Sequence, residues 1–160
     1  TSRGLGDVYK RQDYIGKYAC GPTVMAMIVS TLTDTDTDPE KMSAWAYDNG
    51  YWCSGSGSYP SLIQGASKAF GIECRKAKDC DAKMLRSHLE GGGLAVALVG
   101  PGHFTKSGHF ILLHGTSPAG EVLVADPNSR KNSLALWDPQ VILEEAKASS
   151  GDGVCIWLLG

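Results

Sequence analysis

The sequence predicts an α+β fold in which a helical first half packs on an antiparallel β-sheet formed by the second half. Helix signals occupy the chain up to about Leu89, and three glycines, Gly91 to Gly93, close that part. Beyond the glycines the apolar residues change to the period of short strands bounded by turn residues. Helices followed by strands is the order of an α+β domain, and 160 residues are enough for one domain with its own core.

Four helices are expected ahead of the glycine run. The first spans about residues 21–33, and Pro22 suits its first turn because the ring fixes φ near the helical value. The second begins at Pro39, after the capping residue Asp38, and ends near residues 49–50. The third and fourth span about residues 59–70 and 82–89, and a fifth helix is expected later, over about residues 139–148.

Short apolar runs predict the strands, and one pair of them forms a hairpin. Segment 51–58, which is rich in aromatic and small residues, is expected to be a mobile loop. The turn residues 117–120 join two of the strands, 108–115 and 121–125, which therefore pair in antiparallel fashion. The other predicted strands span about residues 72–75, 94–99, 133–137 and 154–158.

Composition and charge exclude several classes of partner. The formal net charge of −2 leaves no basic surface for nucleic acid. No apolar run approaches the ~18 residues of a membrane-spanning helix, so we expect no membrane insertion. We also expect the protein to be a monomer. Residues 1–12 have neither a helical nor a strand period, and we expect them to be a non-native leader ahead of a domain over residues 13–160.

The cysteines leave the redox compartment open. Their number is odd: one reactive thiol plus up to two disulfides would suit a secreted enzyme, whereas five reduced thiols would suit a cytosolic one. Cys74 and Cys80 flank a short polar segment and could pair, although sequence alone does not fix the connectivity. The five are Cys20, Cys53, Cys74, Cys80 and Cys155.

Cys20 has the most informative position in the chain, directly before Gly21, Pro22 and Thr23 at the predicted start of the first helix. A helix N-terminus carries about half a positive charge, which favours the thiolate over the thiol. Because the thiolate is the reactive form, this placement suits a nucleophile. A cysteine before Gly-Pro is by itself more often a small buried residue, so the hypothesis needs a base elsewhere.

Four histidines are candidates for that base. His88 lies on the polar side of the fourth helix and is expected to be solvated. His103 lies among glycines in a loop that either lines a cleft or is mobile surface. His109 and His114 begin and end one strand on opposite faces, so a shared zinc site is not expected.

His109 is the histidine for which the hairpin supplies a carboxylate. Folding the hairpin about its turn brings Asp126 opposite His109, or within one or two residues of it, where a carboxylate can hold an imidazole. Cys20, His109 and Asp126 would then act as nucleophile, general base and orienting carboxylate. The oxyanion would be met by the Cys20 backbone N–H and one side-chain donor.

Three motifs in this order resemble a known family. Residues 18–27 (YACGPTVMAM), 102–111 (GHFTKSGHFI) and 125–129 (ADPNS) closely resemble the C39-like cysteine peptidases, which belong to the papain-like superfamily. The resemblance is to the stand-alone bacterial type and runs from about Tyr14 to the C-terminus.

The resemblance implies a papain-like fold and a catalytic triad of Cys20, His109 and Asp126. It implies a peptide or protein substrate, hydrolysed through an acyl-thioester intermediate, and no cofactor. It also favours a secreted or cell-surface location over the cytoplasm.

The family also places a glutamine of the oxyanion hole upstream of the cysteine, and here the sequence departs from the pattern. Tyr14 stands near the place of that glutamine in bacteriocin-processing members, and Gln12 falls in the expected leader. The donor would therefore be Gln12 or a glutamine further upstream. Two other functions stay open: a catalytically inactive peptide-binding module of papain-like fold, and a thiol acyltransferase with the same triad.

Overall fold

The computed structural model describes residues 20–53, 57–147 and 151–160 of the chain. Within these ranges the helices are α1 (Cys20–Leu32), α2 (Pro39–Asp48), α3 (Leu62–Ala69), α4 (Ala82–Glu90), α5 (Arg130–Leu134) and α6 (Pro139–Glu145). The strands are β1 (Trp52–Cys53), β2 (Gly57–Ser58), β3 (Cys74–Lys76), β4 (Leu94–Val99), β5 (His109–Thr116), β6 (Val122–Ala125), β7 (Leu136–Trp137) and β8 (Ile156–Leu159). The expected leader, residues 1–12, lies outside the described residues.

The α+β prediction is confirmed, and helices cover both faces of the sheet. Six strands pair in the order β3-β8-β4-β5-β6-β7, with every neighbouring pair antiparallel. Along β5, Phe110 and Leu112 belong to the core that α1, α2 and α3 share. Ile111 and Leu113 belong to a second core with residues of α4 and α6. This alternation follows from the period of two in a strand, so the central strands are apolar on both sides.

Helix α1 runs through the middle of the first core. Nine of its 13 residues are buried, beginning with Cys20, Gly21 and Pro22 at its N-terminus. Gly21 allows two neighbours to approach this end closely. A Cβ at Gly21 would lie 3.1 Å from the Cβ of Ser58 and 3.2 Å from a methyl carbon of Leu62. The start of α1 is therefore wedged between the β1–β2 hairpin and α3.

Two segments differ from their prediction. The expected loop 51–58 contains a small hairpin in which Trp52 pairs with Ser58. The expected strand 133–137 is instead the end of α5 followed by the two-residue strand β7. The cause is a cap: the Ser129 side chain accepts a hydrogen bond from the backbone N–H of Asn132 at 3.0 Å and starts a helical turn.

Tyr51 anchors the β1–β2 hairpin to the helices. Its ring stacks on Trp45 with centroids 5.6 Å apart and lies across Gly65 of α3, where a Cβ would be 2.1 Å from the tyrosine oxygen. Tyr51 therefore packs this segment onto the third helix. None of the helices in the described ranges is long and apolar enough to cross a membrane.

The first prediction concerns this contact. We expect Gly65→Ala to lower the free energy of unfolding by about 1–3 kcal/mol, because the new methyl group displaces the Tyr51 ring. In the control Gly91→Ala, the added Cβ meets nothing closer than 3.4 Å, so stability should be unchanged or slightly raised. Urea unfolding of both variants measures the difference, and equal midpoints would contradict the packing of Tyr51 across α3.

Candidate active site

Three elements end at the same place in the fold, and each contributes one of the predicted residues. Cys20 is the first residue of α1, His109 is the first residue of β5, and Asp126 follows directly after β6. The Nε2 atom of His109 lies 2.6 Å from Oδ1 of Asp126. Both side chains are deeply buried, at 2% and 0% exposure. The structure therefore brings the predicted histidine and carboxylate into a short, dry hydrogen bond.

A β-bulge in the hairpin sets the register that makes this contact possible. Near the turn, Thr116 pairs with Val122, but beyond the bulge at His114 the register is shifted and Leu112 pairs with Ala125. The shifted register aligns Asp126 with Ile111, which is on the same face as His109. Without the shift, Asp126 would align with Leu112 on the opposite face.

Cys20 completes the cluster. Its side chain acts on the His109 ring, whose Nε2 is bonded to Asp126. Burial by itself lowers the pKa of His109. The hydrogen bonds and charges of Asp126 and Cys20 outweigh burial and raise this pKa to about 9. The ring therefore holds its proton at neutral pH, beside the buried carboxylate of Asp126 and the side chain of Cys20.

Asp126 is itself held by groups that the sequence reasoning missed. Its Oδ1 also accepts the backbone N–H of Asn128 at 2.9 Å, and its Oδ2 accepts Nδ2 of Asn132 at 3.1 Å. The Asp126 backbone N–H donates to Oγ of Ser133 at 2.8 Å. The spacing of Ser129 and Asn132 is a helix-start signal that could have revealed α5, but nothing in the sequence points this helix at Asp126.

His88 differs from its prediction, because it is half-buried instead of solvated. Its Nε2 lies 2.8 Å from the carbonyl oxygen of Leu94 and 3.0 Å from that of Leu159, so it links the ends of β4 and β8. Gly93 makes room for the ring, since a Cβ there would be 2.4 Å from Nε2. The helical pattern of the sequence shows only that His88 lies outside the apolar face of α4. It does not show that the turn at Gly93 brings the ends of β4 and β8 into contact with the ring.

The other two histidines lie outside the cluster. The exposed ring of His103 is held at Nδ1 by Oε2 of Glu145, whose Oε1 accepts the His103 backbone N–H at 2.6 Å. This anchoring replaces the expectation of a mobile surface residue, while a role in lining a cleft stays a prediction. His114 is exposed at the bulge of β5.

The described cysteines outside the cluster are free thiols. Cys74, Cys80 and Cys155 form no disulfide, so the possible pairing of Cys74 with Cys80 is absent. Burial raises the pKa of the Cys74 thiol. Burial, followed by the charges of Asp81 and Asp79, raises the pKa of Cys80 to about 11. These two thiols are therefore kept in the less reactive protonated form.

Some expectations fall on parts of the chain that the structure leaves undescribed. Gln12 and Tyr14 lie outside the described residues, as do the side chain of Cys53 and the first two residues of the motif 18–27. Within the described ranges, no group of three or more histidine, cysteine, aspartate or glutamate side chains could hold a metal ion.

Comparison with known proteins gives a family and a fold. The profile of the Peptidase_C39 like family matches residues 7–146. Among solved structures, the peptidase domain of Streptococcus ComA, a bifunctional ABC transporter of a quorum-sensing pathway, is similar with a TM-score of 0.64 and 16% identity, covering 91% of this chain and 93% of that one. A C39-like peptidase from Bacillus anthracis is similar with a TM-score of 0.56 and 14% identity, covering 89% and 88%. No curated protein matches the chain.

The second prediction concerns the His109–Asp126 pair. Because the folded pKa of His109 is raised to about 9, the pair stabilises the fold fully below the ordinary histidine pKa of about 6.5. This stabilisation is lost as the pH rises from about 6.5 through 9. In Asp126→Asn the raised pKa falls, so the free energy of unfolding should lose much of this pH dependence.

Urea unfolding at a series of pH values between 5 and 10 checks this expectation. Asp138→Asn is the matched control: Asp138 caps α6 by accepting the N–H of Gln140 at 2.9 Å, and asparagine caps helices equally well. The control should keep the wild-type slope. An Asp126→Asn protein with an unaltered slope would mean that another group raises the His109 pKa.

Proposed function

The chain belongs to the Peptidase_C39 like family, a family of cysteine peptidases, and from this premise we propose that it hydrolyses peptide bonds with Cys20 as nucleophile. His109 is the general base and acid of the proposed reaction, and Asp126 orients its ring. The substrate is a peptide or protein that reaches the cluster at the start of α1.

One observation carries this proposal: the buried hydrogen bond between His109 and Asp126, with the Cys20 side chain near enough to help raise the His109 pKa. A structural histidine needs a hydrogen-bond partner, but it does not need both a thiol and a buried carboxylate beside its ring. That combination favours an imidazolium beside a sulfur, which activates a cysteine for attack. Among the described histidines, His109 alone has both partners.

The proposed reaction proceeds in two halves. The proton of the Cys20–His109 pair is on His109, and the Cys20 sulfur attacks the carbonyl carbon of the scissile bond. The oxyanion lies at the start of α1, where the first N–H groups have no acceptor within the helix. The C–N bond then breaks, and the leaving amine takes the proton from His109. In the second half, water loses a proton to His109 and attacks the thioester, which releases the acid and restores the Cys20–His109 pair with its proton on the ring.

Asp126 contributes by keeping the ring in one orientation. Its Oδ1 accepts the Nε2–H of His109, and the carboxylate stabilises the positive charge of the ring. Asp126 does not take the proton itself. The backbone N–H of Asn128 and the side chain of Asn132 donate to the same carboxylate and hold its orientation.

The third prediction tests the nucleophile. We expect Cys20→Ala to abolish hydrolysis, by a factor of about 10³ or more, because no other group replaces the sulfur. The control Cys74→Ala should keep the wild-type rate, since this half-buried thiol lies on β3. Cleavage of a mixed peptide library, followed by mass spectrometry, measures both variants.

Three other results of that assay would redirect the assignment. Hydrolysis that survives in Cys20→Ala would exclude Cys20 as the nucleophile. Peptide binding without cleavage by the wild-type protein would favour the inactive binding module. Transfer of the acyl group to an added amine, faster than to water, would favour the acyltransferase.

The fourth prediction tests the Cys20–His109 pair without a substrate. At pH 6 we expect iodoacetamide to alkylate Cys20 at least about tenfold faster in the wild type than in His109→Ala, since an unassisted thiol is almost entirely protonated there. His114→Ala, which alters an exposed histidine of the same strand, should keep the wild-type rate. Equal rates in all three proteins would show that His109 does not activate the sulfur.

A further inference from the structure

Trp137 joins the two sides of the candidate site without touching its reacting atoms. It lies half-buried on β7, the edge strand next to β6. The indole Nε1–H donates a hydrogen bond to the backbone carbonyl of Asn132 at 2.9 Å. Asn132 in turn donates from Nδ2 to Oδ2 of Asp126 at 3.1 Å. Trp137 is therefore linked to the carboxylate through one residue.

Asn132 binds Oδ2 of Asp126, the carboxylate oxygen that does not bind His109. His109 occupies Oδ1 of Asp126, and Asn132 occupies Oδ2, so together they fix the plane of the carboxylate. Asn132 lies in the five-residue helix α5, a length that is not stable by itself. The cap from Ser129, the hydroxyl of Ser133 at the Asp126 backbone and the indole N–H of Trp137 hold this short helix in place.

The Trp137 ring also contacts the segment that leads into His109. Phe104 packs against Trp137 with ring centroids 4.4 Å apart, and the edge of the His103 ring approaches at 5.7 Å. Both residues belong to segment 100–108, which Glu145 holds through its hydrogen bonds to His103. Glu145 also accepts the backbone N–H of Gly100 at 2.7 Å through its carbonyl oxygen.

We propose that Trp137 is a positioning residue that sets the relative placement of His109 and Asp126. On the Asp126 side it acts through Asn132, and on the His109 side it acts through Phe104 and His103. This inference rests on the proposed peptidase function for its kinetic consequence, but its structural consequence stands without it. We call the contacts of Trp137 with Asn132, Phe104 and His103, together with the Asn132–Asp126 hydrogen bond, the Trp137 brace. Without this brace the carboxylate rotates away from Nε2, so the His109 ring is held less firmly.

The test uses two substitutions in the full chain, each of which removes one hydrogen bond of the Trp137 brace. Trp137→Phe keeps an aromatic ring against Phe104 and removes the hydrogen bond to the Asn132 carbonyl. Asn132→Ala keeps that carbonyl and removes the donor to Oδ2 of Asp126. Trp45→Phe is the matched control, because Trp45 is another half-buried tryptophan that stacks on Tyr51, outside this network.

The first readout is the titration of the His109 ring, followed by NMR. In both brace variants we expect the midpoint to fall by about one pH unit or more from the wild-type value, because the ring loses part of its hold on the carboxylate. Trp45→Phe should leave the midpoint unchanged. A Trp137→Phe midpoint equal to that of the wild type would overturn the inference.

The second readout separates positioning from binding. We expect kcat to fall about tenfold in Trp137→Phe while KM stays within about twofold, because the brace affects the reacting groups and not the substrate. The double variant should be no slower than Asn132→Ala, since Trp137 acts on Asp126 through Asn132. Fully additive losses would show that Trp137 acts by another route and would also overturn the inference.

The two proposals fail in distinguishable ways. A wild-type protein that cleaves no peptide, and whose Cys20 is alkylated no faster than in His109→Ala, contradicts the proposed function. The His109 titration in the brace variants still decides the role of Trp137 in that case. If Trp137→Phe fails to fold, the same titration in Trp137→Tyr, which also lacks the indole N–H, decides it.

Discussion

The buried hydrogen bond between His109 and Asp126 is the constraint on which this part of the structure depends. The two side chains are 2% and 0% exposed, and burying polar groups of this kind is costly unless they are fully paired. Removing one partner of a buried charged pair costs about 3–5 kcal/mol, because the other is left uncompensated. The fold satisfies Asp126 with two further donors, from Asn128 and Asn132, and brings the Cys20 side chain near His109.

The register of one hairpin decides whether that bond can form. A period of two means that a shift by one residue moves a side chain to the other face of the sheet. The bulge at His114 makes this shift between the turn and the site, so Asp126 reaches the face of His109. The sequence could place Asp126 within one or two residues of His109, because the turn and both strands were recognisable. It could not supply the bulge, which is an unpaired residue with no signal of its own.

Elsewhere in the fold, elements set by local sequence signals were predicted, and elements that depend on distant residues were not. Asp38 before Pro39 predicted the start of α2 correctly, and the Asp38 side chain caps the Lys41 N–H at 2.8 Å. Such caps are local, so the sequence contains all that is needed. Helix α5 begins at a local cap, Ser129, but at five residues it also needs the support of a neighbour, Trp137. The β1–β2 hairpin was missed because its place beside α3 depends on Gly65, which is distant in the sequence. Residues that make contacts between distant parts of the chain, such as Trp137, are the hardest to recognise from the sequence.

The environment of each thiol, and not the presence of a cysteine, separates Cys20 from the others. Burial raises the pKa of both Cys74 and Cys80, and the two aspartates beside Cys80 carry its pKa to about 11. Negative neighbours and an apolar surrounding both oppose a thiolate. Cys20 is also buried, yet its neighbour is a ring that holds a positive charge up to about pH 9. Cys20 thus differs from Cys74 and Cys80 in lying at the start of a helix and beside a positively charged ring, whereas burial keeps the other two thiols protonated.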